Sequence, residues 1–96
     1  MKSRKAREVR QALVRKGFRE AGKRDHWYYF LYMDGRKSAV YTKISHNEKE
    51  IGPGLLSVMA RQLRIGTAQF ELFIDCKLTE AAYIRLLVEA AQIRIS

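Results

Sequence analysis

The residues of this 96-residue chain best suited to chemistry are His26, Ser45 and His46, in the company of Lys23, Arg24 and Lys43. An imidazole titrates near neutrality, so His26 can serve as a general acid or base. With the hydroxyl, the second imidazole and the cations at the same end of a hairpin, it would make a site for phosphate. The competing reading of His26 is an exposed histidine at a strand end beside a turn-forming Asp25, and the sequence leaves both open. Asp25 could fix the imidazole tautomer only against strand geometry, because adjacent strand residues point to opposite faces. His46 is less suited to catalysis, and a surface or orienting role fits it better.

These residues must be positioned by a hairpin. The segment Asp25 to His46 holds two runs of aromatic and β-branched residues separated by Asp34-Gly-Arg-Lys37, the pattern of two strands and a turn. Two registers compete, one through a two-residue turn at Asp34-Gly35 and one that pairs 26–33 with 38–45 through a four-residue loop at 34–37, and the second gathers the bulky apolar residues. Trp27, Tyr29 and Leu31 then share a face with Ile44, Thr42 and Val40. His26, Tyr28, Phe30 and Tyr32 take the other face with Ser45, Lys43 and Tyr41. His46 falls one residue past the pairing, where it is expected to share a pocket edge with His26. The aromatic row could stack on unpaired bases. Its other readings are a dimer face or a surface covered by C-terminal helices, and cover is the expectation for Phe30 and Tyr32.

The remaining pattern is mostly helical. Ala6, Val9 and Leu13 place a helix over 3–16, with Ser3 as its cap and Gly17 as its stop. Phe18 to Ala21 reads as a first strand, and Gly22-Lys-Arg-Asp25 as a tight loop. After a breaker-rich loop, Leu56, Met59, Ala60 and Leu63 mark a second helix ending at Gly66. Its N-terminal amides could help to hold an anion near the histidines. Thr67 and Thr79 look like caps of two more helices, carrying Phe70, Phe73 and Ile74, and Tyr83, Leu86, Leu87 and Ala90. The expected fold class is therefore α+β. Helix, three antiparallel strands and helix occupy residues 1–66, and a two-helix extension over 67–96 packs on the same domain.

The net charge of +9 is uneven. Residues 1–24 hold ten Lys and Arg against Glu8 and Glu20, whereas residues 66–96 hold three basic and four acidic side chains. A basic front half behind a neutral tail suggests a polyanionic partner, with plain solubility as the bland alternative. Lys2, Arg4, Arg7, Lys23, Arg24, Lys43, Lys49, Arg61 and Arg64 are the candidate phosphate contacts. Cys76 is the only cysteine, which excludes an internal disulfide, and it reads as packing along with the methionines. No cluster has metal-ligand spacing, no cofactor is implied, and no apolar run is long enough for a membrane. The basic start leads into an amphipathic pattern, so no signal peptide is expected, and a cytoplasmic location is the simplest expectation.

The order helix, strand, strand, strand, helix resembles a double-stranded RNA-binding domain. Gly17-Phe18, the loop Gly22-Lys23-Arg24-Asp25, His26 with its trailing aromatics, and Ser45-His46 followed by Leu55-Leu56 and Arg61-Gln62-Leu63 are similar to the HicA (YcfA-like) toxin family over roughly residues 3–66. Members of that family are messenger-RNA endoribonucleases held inactive by HicB-type antitoxins. The resemblance implies His26 as the catalytic residue. It also implies a HicB-like partner; the RNA contacts expected from charge and from the hairpin end are Lys23, Arg24, Lys43, Ser45, His46, Arg4, Arg61 and Arg64. Asp25 stands where the family usually has serine and Trp27 where a second histidine is common, departures that bear on cleavage more than on RNA binding. Two expectations therefore go forward: a HicA-like endoribonuclease, or a non-catalytic module of the same fold that binds RNA or protein.

Overall fold

The computed structural model describes residues 2–22 and 25–90. Two residues ahead of the first helix, Arg4–Lys5 (β1), pair antiparallel with Glu50–Ile51 (β5), and the Ala6 amide donates to the Lys49 carbonyl at 2.9 Å. Helix α1 therefore runs Ala6–Arg15, not from Ser3, and its N-cap is Lys5, without a side-chain cap bond. The expected Ser3 cap is overturned because pairing with β5 holds this stretch extended. Ala6, Val9, Ala12 and Leu13 form the buried side of α1. The helix stops at Gly17, whose φ of +93° is a conformation that side chains resist. The Gly17 carbonyl accepts from the Tyr32 amide at 3.0 Å, which locks the helix exit to the sheet.

The sheet has the order β2-β3-β4, all antiparallel: Phe18–Gly22, His26–Met33 and Arg36–Ser45. Gly22 ends a strand and does not open the loop. The hairpin combines two registers. At its far end His26 faces Ser45, Trp27 faces Ile44 and Tyr29 faces Thr42, as the apolar matching expects. At its near end Met33 faces Arg36 and Tyr32 faces Lys37, so the turn is Asp34-Gly35 alone and not a loop over 34–37. Asp34 (φ +51°) and Gly35 (φ +77°) both adopt the left-handed conformation of the tight turn that matches strand twist. A bulge opposite Leu31 takes up the difference of two residues, and the Ser38 hydroxyl accepts from the Val40 amide there at 3.1 Å.

Tyr29, Leu31, Val40, Thr42 and Ile44 are buried on one sheet face, against α1 and against helix α2 (Pro53–Gln62). Proline in the first turn of α2 fixes its start, and the Thr42 hydroxyl joins the sheet to Gln62 at 2.7 Å. Helices α3 (Thr67–Ile74) and α4 (Glu80–Glu89) follow. The cap of α3 is Gly66, whose amide donates to Gln69, and not Thr67. Thr79 caps α4 as expected, accepting from the Ala82 amide at 3.1 Å. Phe70, Phe73, Ile74, Tyr83 and Leu87 join the same hydrophobic cluster as the sheet and α1. Phe18, at the start of β2, meets both Phe73 (6.1 Å, edge-on) and Tyr83 (5.9 Å). The buried Tyr83 hydroxyl donates to the Leu63 carbonyl at 2.9 Å. The described residues are thus α+β, with a three-stranded antiparallel sheet, the short β1–β5 pair and four helices. Among the described residues no helix is long and apolar enough to cross a membrane.

Candidate nucleic-acid interface

On the helix side, α1 turns its basic face outward beside the sheet. Arg7, Gln11 and Arg15 stand at successive turns, with Arg10 and the exposed Val14 next to them. Two adjoining clefts share Arg7 and Arg10. One is completed by Arg15, Glu20 and Tyr29, the other by Lys5, Trp27, Lys49 and two glutamates, Glu48 and Glu50. Arg10 is the fixed point between them. Its guanidinium carbon lies 3.5 Å from the centroid of the Trp27 ring, and its Nε donates to the Tyr29 hydroxyl at 2.8 Å. That hydroxyl donates in turn to Glu20 at 2.5 Å, and Glu20 is 3.4 Å from the Arg10 Nη2. Burial first, and the bond to Glu20 second, push the Tyr29 phenol up from the usual 10 to about 12.

The His46 ring also packs on Trp27, with centroids 4.3 Å apart, while the His46 amide donates to the Asp25 carbonyl. The His26 ring instead neighbours Tyr28, at 6.3 Å, on the opposite sheet face. The expectation that the two histidines share a pocket edge is therefore overturned. A residue one step beyond the Ser45 pair points the other way.

The face bearing His26 is the open side of the sheet. Strand pairing places Arg19 and Ala21 of β2, His26, Tyr28, Phe30 and Tyr32 of β3, and Lys37, Tyr41, Lys43 and Ser45 of β4 on it. Tyr28, Phe30 and Tyr41 form one cluster, with Tyr28–Phe30 at 6.2 Å and Phe30–Tyr41 at 5.4 Å, both near parallel. Lys37 rests 3.9 Å above Phe30 and Arg19 4.2 Å above Tyr32, and Lys43 approaches Tyr28 at 5.9 Å. Among the described residues no helix covers this row. The expected cover of Phe30 and Tyr32 is overturned because α3 and α4 bury their own aromatics around Phe18, on the other face.

Of the residues expected at a site, the fold gathers His26, Lys43 and Ser45 and separates the others from them. Arg4 is engaged by Asp75, just past α3, and by Glu8. Arg61 and Arg64 border a shallow hollow with Gly66 and Gln69 beyond the end of α2. Lys23 and Arg24 lie outside the described residues. Cys76, expected in the packing, is exposed, and Arg15 donates to its sulfur at 3.4 Å. That bond, with the nearby charges of Lys16 and Arg15, pulls the thiol below its ordinary range.

Arg10, Arg15, Arg19 and Lys37 were not among the expected contacts. Helical spacing from Arg7 would have found Arg15, and the alternation Phe18-Arg-Glu would have found Arg19. The stacking of Arg10 on Trp27 left no mark in either pattern. No protein-family model matches the chain, and neither a curated protein nor a solved structure is significantly similar to it.

Proposed function

We propose that this chain is an RNA-binding domain. Its arrangement is read as double-stranded-RNA-binding-domain-like: α1, the sheet β2-β3-β4, then α2, with both helices on one face. The observation that supports this most is the basic surface of α1, where Arg7, Arg10 and Arg15 line adjoining clefts and Arg10 is pinned against Trp27. A guanidinium held by stacking loses less freedom when it meets a phosphate than a free one would. Arg7 and Arg15 are exposed and supply charge without that constraint. Binding of a labelled RNA to the Arg7→Ala/Arg15→Ala variant tests the reading. Affinity should fall for every RNA sequence alike, and the salt dependence should flatten by about one unit for each phosphate no longer neutralised. Unchanged affinity would refute it.

A second reading, an endoribonuclease of the HicA kind inhibited by a HicB-like protein, is favoured by the place of His26. It stands at one end of the open face, across from Ser45 and beside Tyr28 and Lys43. A proton-transfer group there acts mainly in the transition state, so His26→Ala should lower RNA cleavage by roughly a hundredfold or more with binding nearly intact. Equal cleavage by both proteins, or none by either, would leave the binding domain standing alone.

A further inference from the structure

We infer that the open face of the sheet is a second RNA surface, one that takes an unpaired strand by stacking its bases on the cluster of Tyr28, Phe30 and Tyr41. The inference rests on the RNA-binding reading and extends it from phosphate contact to a class of substrate. Three features of the face carry it. The first is composition: the described strand residues on this face include three cations, Arg19, Lys37 and Lys43, and not one carboxylate. All the acidic residues near it, Asp25 and Asp34 among them, lie in loops or, like Glu20, on the other face. A face used only for solubility would mix both signs.

The second feature is interleaving. Each cation lies against a ring, Lys37 on Phe30, Lys43 towards Tyr28 and Arg19 on Tyr32. A lysine on its flexible stem can move a few ångströms from a ring to a phosphate while a base takes the ring surface. Charge and stacking surface are thus presented side by side along one strand direction, as a nucleotide chain presents phosphate and base. The third feature is exposure. Tyr41 is 45% exposed, the most open large aromatic of the chain's described residues, and it borders both Phe30 and Tyr28. A base would therefore meet Tyr41 first. A duplex cannot use this surface, because its bases are already stacked and paired.

The test compares a fluorescein-labelled RNA of about ten nucleotides, single-stranded and annealed to its complement, by fluorescence anisotropy. The wild-type chain is measured beside Tyr41→Ala and Lys37→Ala/Lys43→Ala. Arg7→Ala/Arg15→Ala serves as the α1 control, and circular dichroism verifies each fold. Tyr41→Ala should weaken single-strand binding about tenfold, the loss of one base–aromatic stack, and leave duplex binding within about twofold. The lysine pair should weaken single-strand binding and lower its salt dependence. If both open-face variants bind the single strand like wild type while the α1 variant does not, this inference fails and the RNA-binding reading survives. If wild type binds neither RNA at low salt, both fail. A dimer of the free protein that Tyr41→Asp dissociates would assign the face to a second copy of the chain and overturn the inference.

Discussion

Replacing Tyr29 by phenylalanine removes one hydroxyl from the centre of the α1–sheet contact and keeps the ring that fills the core. The hydroxyl links two charged groups: it donates to Glu20 at 2.5 Å and accepts from Arg10 at 2.8 Å. Hydrogen bonds to charged partners contribute about 1.5–3 kcal/mol each when the partners have no other recourse. Here they do, since the side chains of Arg10 and Glu20 are 32% and 41% exposed and stay within reach of each other. The loss should thus sit at the low end, about 1.5 kcal/mol for the pair. For a domain of this size that lowers Tm by about 6–12 °C. The pH dependence adds a sharper check. Because the folded state holds the phenol proton up to about 12 and the unfolded chain releases it near 10, this stabilisation is complete below pH 10. Between those values it is lost as pH rises. Thermal unfolding followed by circular dichroism should show wild type above Tyr29→Phe at neutral pH, with the gap narrowing through that window. Equal stability at pH 7, or a gap that widens with pH, would refute the network.

Other consequences are accessible by simple means. Gly35→Ala should destabilise the hairpin by about 1 kcal/mol or more through its positive φ, read from urea unfolding, whereas Gly52→Ala should cost less, since its φ of −75° is open to any side chain and only its place as the N-cap of α2 favours glycine. Alkylation of Cys76 by iodoacetamide should set in at a lower pH than for a free cysteine, and Arg15→Ala should move the profile upward. A profile unmoved by that substitution would show that the Arg15 contact does not govern the thiol.

The sheet faces were legible in the sequence because alternation with a period of two is a local property. Tyr29, Leu31, Val40, Thr42 and Ile44 declare the buried side on their own. The turn was open to two readings for a related reason. A bulge of two residues leaves every side chain on its original face, so Asp34-Gly35, a pair that tight hairpin turns favour, and a loop to Lys37 both fit the alternation, and apolar matching at the far end pointed to the wrong one at the near end. The start of α1 was missed because a two-residue strand has no period, and its partner at Glu50–Ile51 is remote in the chain. The Arg10–Trp27–His46 contacts join a helix, a strand and a loop, and no spacing rule connects those three positions. The basic side of α1 was visible as charge. Its division into two clefts around one stacked guanidinium was not.

The most direct test of RNA binding is the affinity of the purified chain for a short RNA across a series of salt concentrations. If the cations of α1 and of the open face together neutralise about five phosphates of a single strand, log K against log salt should be linear with a slope near −3.5. A flat response at measurable affinity, or no binding at the lowest salt, would contradict the assignment of this basic surface to RNA.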